Sequence, residues 1–177
     1  GSADLLSLAQ RRGAQLHKLL SGTAVFEQDM QKPHGRLHHA DWLKLLHNCQ
    51  QQLNSPELPF LLGTALLQNP YISVSQALLH AGNLKQALRQ LHYYRHQLFP
   101  GVYAQLYRQQ QVIVLEFHTG LALGQQHRTV MTILLSLLLS LIKHQLGSSR
   151  GVSVHLRHQA PELALPYQLH WGCDVSF

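Results

Sequence analysis

Apolar residues recur along this chain with a period near four in most segments and a period of two in a few, and the changes of period mark its elements. Leu5, Leu8 and Ala9 open a short amphipathic run that ends at Arg12-Gly13, and residues 14 to 20 form a second that stops at Ser21-Gly22. A Pro/Gly/His loop around residues 32 to 36 follows. Asp41 is placed to cap a helix in which Trp42, Leu45, Leu46 and Cys49 share a face, ending near Asn54-Ser55-Pro56. Residues 57 to 83 carry two or three more short helices, punctuated by Pro59, Gly63, Pro70 and Gly82, with Ser73 or Ser75 as the cap of the one holding Ala77, Leu78 and Leu79.

The next helix, capped near Asn83, runs from Leu84 to Leu98 and stops at Pro100-Gly101. Leu84, Leu88, Leu91, Tyr94 and Leu98 form its inner face. Arg95 projects within that sector, where a charge needs a partner: an anionic ligand, or a buried group such as Glu116. After Gly101 the period falls to two. Val102 to Arg108 and Val112 to Thr119 flank a glutamine-rich turn, and Ile113, Leu115 and Phe117 alternate with Val114, Glu116 and His118, the pattern of a hairpin with one buried face. A long helix follows. Val152, Val154 and Leu156 alternate in another strand, Pro161 and Pro166 interrupt the exit, and Cys173, Val175 and Phe177 alternate at the end. This order predicts an α+β fold: N-terminal helices, then an antiparallel sheet made of the hairpin plus two C-terminal strands, packed with the long helix.

The long helix is the most apolar stretch, "TVMTILLSLLLSLIKHQLG". Its run without a charge goes only from Thr129 to Ile142, between Arg128 and Lys143, which is short of the ~20 residues a bilayer demands. Thr132, Ser136 and Ser140 recur at every fourth position and form one stripe on a soluble helix that Gly147 ends. The remaining arc, with Leu134, Leu137, Leu138 and Leu141, is too wide for one neighbour to cover. One side is expected to pack on the domain's own sheet and another to meet a second subunit or the helix over 84–98.

Composition narrows the function more than it names one. Charged residues are only 12% of the chain against a usual quarter, while glutamine (21) and histidine (14) fill the polar surface. The formal net charge is +6, but Lys and Arg are scattered singly apart from Arg11-Arg12, without a basic stripe or a recognition helix. Direct DNA binding by this segment is therefore not expected. Cys49 and Cys173, far apart in apolar surroundings, suit two thiols in a reducing compartment, and no signal peptide or stop-transfer segment is evident. The opening Gly-Ser, in place of Met, reads as an excised domain.

Histidine pairs such as His92 and His96 could share a metal, but no HExxH motif or cysteine pair accompanies them, so no metal or cofactor is expected and a His-ligated metal or haem sensor is the lesser alternative. No nucleophile elbow, P-loop or paired carboxylates are present, and an enzyme is not expected. What remains is a pocket: Tyr93, Tyr94, Arg95, Tyr103, Tyr107, His118 and the stripe of Thr132, Ser136 and Ser140 could line a small-ligand site between the 84–98 helix, the hairpin and the long helix. The same tyrosines and hydroxyls could equally hydrogen-bond within a core.

The order of landmarks resembles a known family. "LAQRRG" with "LLSG", "GRLHHADWLKLL", "ELPFLLGTALL", "NLKQALRQLHYY" and the closing "WGCDVSF" are similar to the N-terminal sensory domain of AraC-type transcriptional regulators, in its arabinose-binding-like branch. The resemblance spans nearly the whole chain. It implies that residues 1–177 are a single domain for effector sensing, dimerisation or both, in a cytoplasmic bacterial regulator. It implies a small-molecule effector, a homodimer, no membrane, and DNA contact only through a C-terminal part with two helix-turn-helix motifs. Asp174 stands where the family's ending has proline, and Arg95 where an aliphatic residue is usual. A ligand-free interaction module, pairing subunits through Leu134, Leu137, Leu138 and Leu141, is the competing reading.

Overall fold

The computed structural model describes residues 2–31, 38–70, 72–98, 102–120, 123–157 and 164–177. The period of four becomes six helices: α1 (Ser2–Arg11), α2 (Leu16–Leu19), α3 (His39–Leu53), α4 (Leu58–Gln68), α5 (Ser73–Leu79) and α6 (Leu84–Leu98). Pro59 lies in the first turn of α4, where its missing N–H costs no hydrogen bond, so it starts the helix instead of breaking it. At the start of α6 the expected cap forms: the Gln86 N–H donates to Asn83 Oδ1 at 2.9 Å, and Gln86 Oε1 accepts from the Gly82 N–H.

Two expected caps are used otherwise. The residue before α3 is His38, and Asp41 sits within its first turn, where its carboxylate accepts from the Ala24 N–H at 3.1 Å. Asn48 donates to the Leu19 and Ser21 carbonyls, so α3 reads the preceding loop through two polar side chains. Ile72 precedes α5, and the buried Ser75 hydroxyl donates instead to the Leu66 carbonyl, tying α5 to α4.

The hairpin forms as alternation predicts, with β1 (Val102–Gln109) and β2 (Val112–Thr119) antiparallel in unbroken register from Val102↔Thr119 to Gln109↔Val112. The long helix is α7 (His127–Leu146), ended by Gly147 at φ 79, whose N–H returns to the Lys143 carbonyl. The stretch Gly124–Leu146 is long and apolar enough to cross a membrane, but 67% of its 18-residue apolar window is buried inside the chain, as befits a core helix.

The C-terminal segment departs from the expected single antiparallel sheet. After β3 (Ser153–His155) comes a helix, α8 (Leu165–Trp171), with Pro166 in its first turn, and then β4 (Asp174–Ser176). β3 and β4 pair parallel with each other, forming a sheet separate from the hairpin. The reason is connectivity: a crossover through a helix returns the chain in the same direction, which only a parallel pair accommodates. Pro161 lies outside the described residues; Pro166 starts a helix.

The long helix also packs differently from the expectation. Its most extensive neighbour is α4, with α5, α6 and α8 around it, so helices occupy the place expected for the sheet. Gly63 makes the α4–α7 crossing close: a Cβ there would lie 2.4 Å from the Ile133 carbonyl oxygen, 2.6 Å from Ser136 Cβ and 2.8 Å from the Leu137 nitrogen. Backbone meets backbone at that point, and no side chain larger than hydrogen fits.

Candidate functional site

The hydroxyl stripe of α7 lies inside this crossing. Ser136, only 3% exposed, accepts a hydrogen bond from the Trp171 indole N–H at 2.9 Å. Ser140 and Thr64 share a hydrogen bond of 2.9 Å, and Thr132 donates to the Arg128 carbonyl one turn back in its own helix. Each hydroxyl thus has a protein partner, and small side chains let α4 approach. Trp171 belongs to an aromatic cluster centred on Phe60, which meets Tyr167 and Trp171 edge-on and stacks on His170 at 5.0 Å. Tyr167 meets Phe177 edge-on, so the closing "WGCDVSF" is anchored on α4.

Leu134, Leu137, Leu138 and Leu141 are all buried within this one chain. Cys49 is buried too, and loss of solvation pushes its thiol up to about 12. The Cys173 thiol is also raised by burial, partly opposed by the nearby Lys143 ammonium. Both thiols are free, and neither is an activated nucleophile.

Tyr103, Tyr107 and His118 stand on the outer face of the hairpin, away from the hydroxyl stripe. Tyr103 pairs across the ladder with His118, and its ring covers Gly120, where a Cβ would come within 2.6 Å of it. Tyr107 donates to Glu116 Oε1 at 2.8 Å, His118 Nε2 lies 3.2 Å from Glu116 Oε2, and Arg157 lies 3.8 Å from Oε1. The Tyr107 hydrogen bond, then that of His118, holds the Glu116 carboxyl below its ordinary range, while the same bond raises the Tyr107 hydroxyl. Glu116 therefore finds its cation in Arg157. The Arg95 side chain lies outside the described residues. Tyr93 and Tyr94 meet edge to face on α6, both exposed to water.

These residues form two separate groups, one inside the helix crossing and one on the outer hairpin face. Between them lies a cleft bounded by the elements expected to hold a pocket, α6, the hairpin and α7, but lined by other residues than those expected. Leu88, Leu91 and His92 of α6, Val102 and Ala104 of β1, Leu115 and Phe117 of β2, and Leu134 of α7 line it. Its closed volume of about 10 Å³ is enough for roughly one water. The expected buried face of the hairpin holds only at its base: Val102 and Ala104 are buried and Leu115 and Phe117 half-buried, whereas Leu106 is 45% and Ile113 69% exposed on the same face. The sequence signal for the cleft was present in the alternation, but a lining of core-type residues looks the same whether it closes or opens. Among the described residues, no group of three His, Cys, Asp or Glu is placed to hold a metal.

The family model for the arabinose-binding domain of AraC transcription regulators, N-terminal, matches residues 13–177. The chain belongs to this family. No curated protein matches it. The family is that of a regulator's ligand-binding domain and not an enzyme family. The matched span takes in the crossing of α4 and α7, the hairpin and the C-terminal anchor.

Proposed function

We propose that this chain is the effector-sensing unit of a cytoplasmic bacterial transcriptional regulator that contacts DNA through a C-terminal helix-turn-helix part. The observation that carries the reading is the family match over residues 13–177. The dispersed charge of +6, without a recognition helix, is consistent with DNA contact being made elsewhere. Homodimerisation belongs to the same proposal. Leu134, Leu137, Leu138 and Leu141, expected to form its interface, are buried within one chain, so a second subunit would be met elsewhere on the surface. Of the residues first grouped as a ligand site, Thr132, Ser136 and Ser140 would act as packing groups, leaving Tyr94, Tyr103, Tyr107 and His118 accessible to a ligand or partner.

A ligand-free interaction module is the second reading, and the small closed volume of the cleft favours it. Native mass spectrometry of the purified chain separates the two, because it reports subunit number and any copurified compound together. A dimer carrying a small-molecule mass that denaturation releases is the expected result. A bare dimer whose regulator ignores every added effector would transfer the role to the interaction module, and a bare monomer would remove dimerisation as well. In a shift assay at physiological salt, residues 1–177 are expected to give no sequence-dependent DNA complex.

A further inference from the structure

Resting on the sensor reading, we infer that the effector is an apolar molecule with an anionic end, seated between α6 and the inner face of the hairpin, and not a sugar. Among the described residues, seven of the eight side chains lining this cleft are apolar, and His92 is the polar one. A sugar brings a hydroxyl on nearly every carbon, and each left without a partner on burial is costly. Among the described residues, the cleft offers no set of donors and acceptors to match them.

The apolar lining does not stop where the cleft closes. Leu106 pairs with Leu115 across the ladder, and Ile113 follows Leu115 at the next position on the same face. Both remain largely in water. The hairpin is thus seated at its base and unsupported toward its turn, leaving an apolar strip of Leu106, Leu115 and Ile113 that continues from the cleft and ends at Arg108, the cross-strand partner of Ile113. A ligand laid along that strip covers Leu106 and Ile113 and widens the cleft by lifting the half of the hairpin that has least holding it down. An aliphatic chain fits this narrow, one-directional surface.

Charge complementarity sets the other end of the ligand. α6 carries no acidic residue, and Lys85, Arg89 and His92, spaced four and three apart, share the face that borders the cleft. Among the described residues neither Lys85 nor Arg89 forms an ion pair. A carboxylate leaving the cleft past His92 meets the Arg89 guanidinium at the rim, a charge-assisted contact.

Ligand-observed NMR with octanoate, 1-octanol and L-arabinose tests this on the purified chain. Octanoate and octanol are expected to saturate one site and arabinose none. Ala104→Trp, which fills the cleft, is expected to abolish both interactions with the far-ultraviolet circular dichroism unchanged. Should that variant fail to fold, Leu106→Ser with Ile113→Ser, both at exposed positions, is expected to weaken both ligands about tenfold. Arg89→Gln is expected to weaken octanoate about tenfold and leave octanol alone. Failure of octanoate and octanol to bind, binding indifferent to the cleft variants, or arabinose saturating a site that Ala104→Trp removes would each overturn the inference. A copurified compound on a chain that ignores octanoate and octanol would overturn it while leaving the sensor reading in place. Octanoate bound in the cleft of a regulator that responds to no effector would overturn the sensor reading, and with it the effector role, while leaving the cleft as a binding site for an apolar anion.

Discussion

The crossing of α4 with α7 and the β1–β2 hairpin both arise from strongly patterned apolar sequence, and they end in opposite conditions. At the crossing, Ile133, Leu134, Leu137 and Leu141 are buried, and the hydroxyls between them are matched to Thr64, Trp171 or a backbone carbonyl. On the hairpin, the inner face is covered at one end and open at the other, and its most elaborate polar contacts lie outside in water. An isolated two-stranded ribbon has marginal stability of its own and depends on what it packs against. The crossing is therefore the scaffold that fixes the fold, and the hairpin, held at its base alone, is the part that the proposed ligand would displace.

The largest effect that tests this contrast is expected at Gly63. Gly63→Ala places a methyl against the Ile133 carbonyl and the Leu137 nitrogen, neither of which can yield without moving α7. Overpacking of this kind costs about 3 kcal/mol, and a urea melt followed by circular dichroism would show the midpoint fall. If the variant is as stable as the parent, the two helices are farther apart in solution and the crossing is not the rigid scaffold.

Ser136→Ala comes next. It removes the acceptor of the Trp171 indole N–H in a fully buried setting, and a donor left unsatisfied there costs about 2 kcal/mol. The same melt, with Trp fluorescence as a second probe, reports whether α8 detaches before the core does. A loss below about 0.5 kcal/mol, the ordinary range of surface changes, would mean that the indole has another partner and that the C-terminal anchor is independent of the crossing.

Much of this scaffold was legible in the sequence because its signals are local. The Gly147 stop, the Asn83 cap, the alternation of Val112 to Thr119 and the order of elements all follow from near neighbours along the chain. The role of Ser136 was not legible, since a hydroxyl stripe reads alike whether it lines a pocket or a helix contact, and its partner Trp171 is 35 residues away. Gly63 looked like punctuation between short helices; its reason is a backbone on another helix. The parallel pairing of β3 and β4 depends on the crossover through α8, which Pro166 seemed to forbid but in fact begins. The lining of the cleft was not legible because its residues are of core type, and the exposure of Leu106 and Ile113 beside it is something no periodicity reveals.

The smallest expected effect lies at the other end of the contrast, on the outer hairpin face. Tyr107→Phe removes the hydrogen bond that contributes most to holding the Glu116 carboxyl below its ordinary range. The sign follows from the direction of that shift: a depressed folded value stabilises the fold at pH above the ordinary carboxylate range, and the gain is lost as pH falls through the depressed value. The raised Tyr107 hydroxyl works in the opposite direction, contributing below the ordinary tyrosine range and losing its contribution as pH rises through the raised value. In the variant, the Glu116 titration followed by carbon-detected NMR is expected to move up toward the ordinary value, and His118 and Arg157 keep it from arriving there. Stability at neutral pH is expected to stay the same within error, because the group is solvated and salt screens it. A fall in stability comparable to that of Ser136→Ala would break the contrast, since it would place the hairpin's outer face in the scaffold and leave nothing free to move over the cleft.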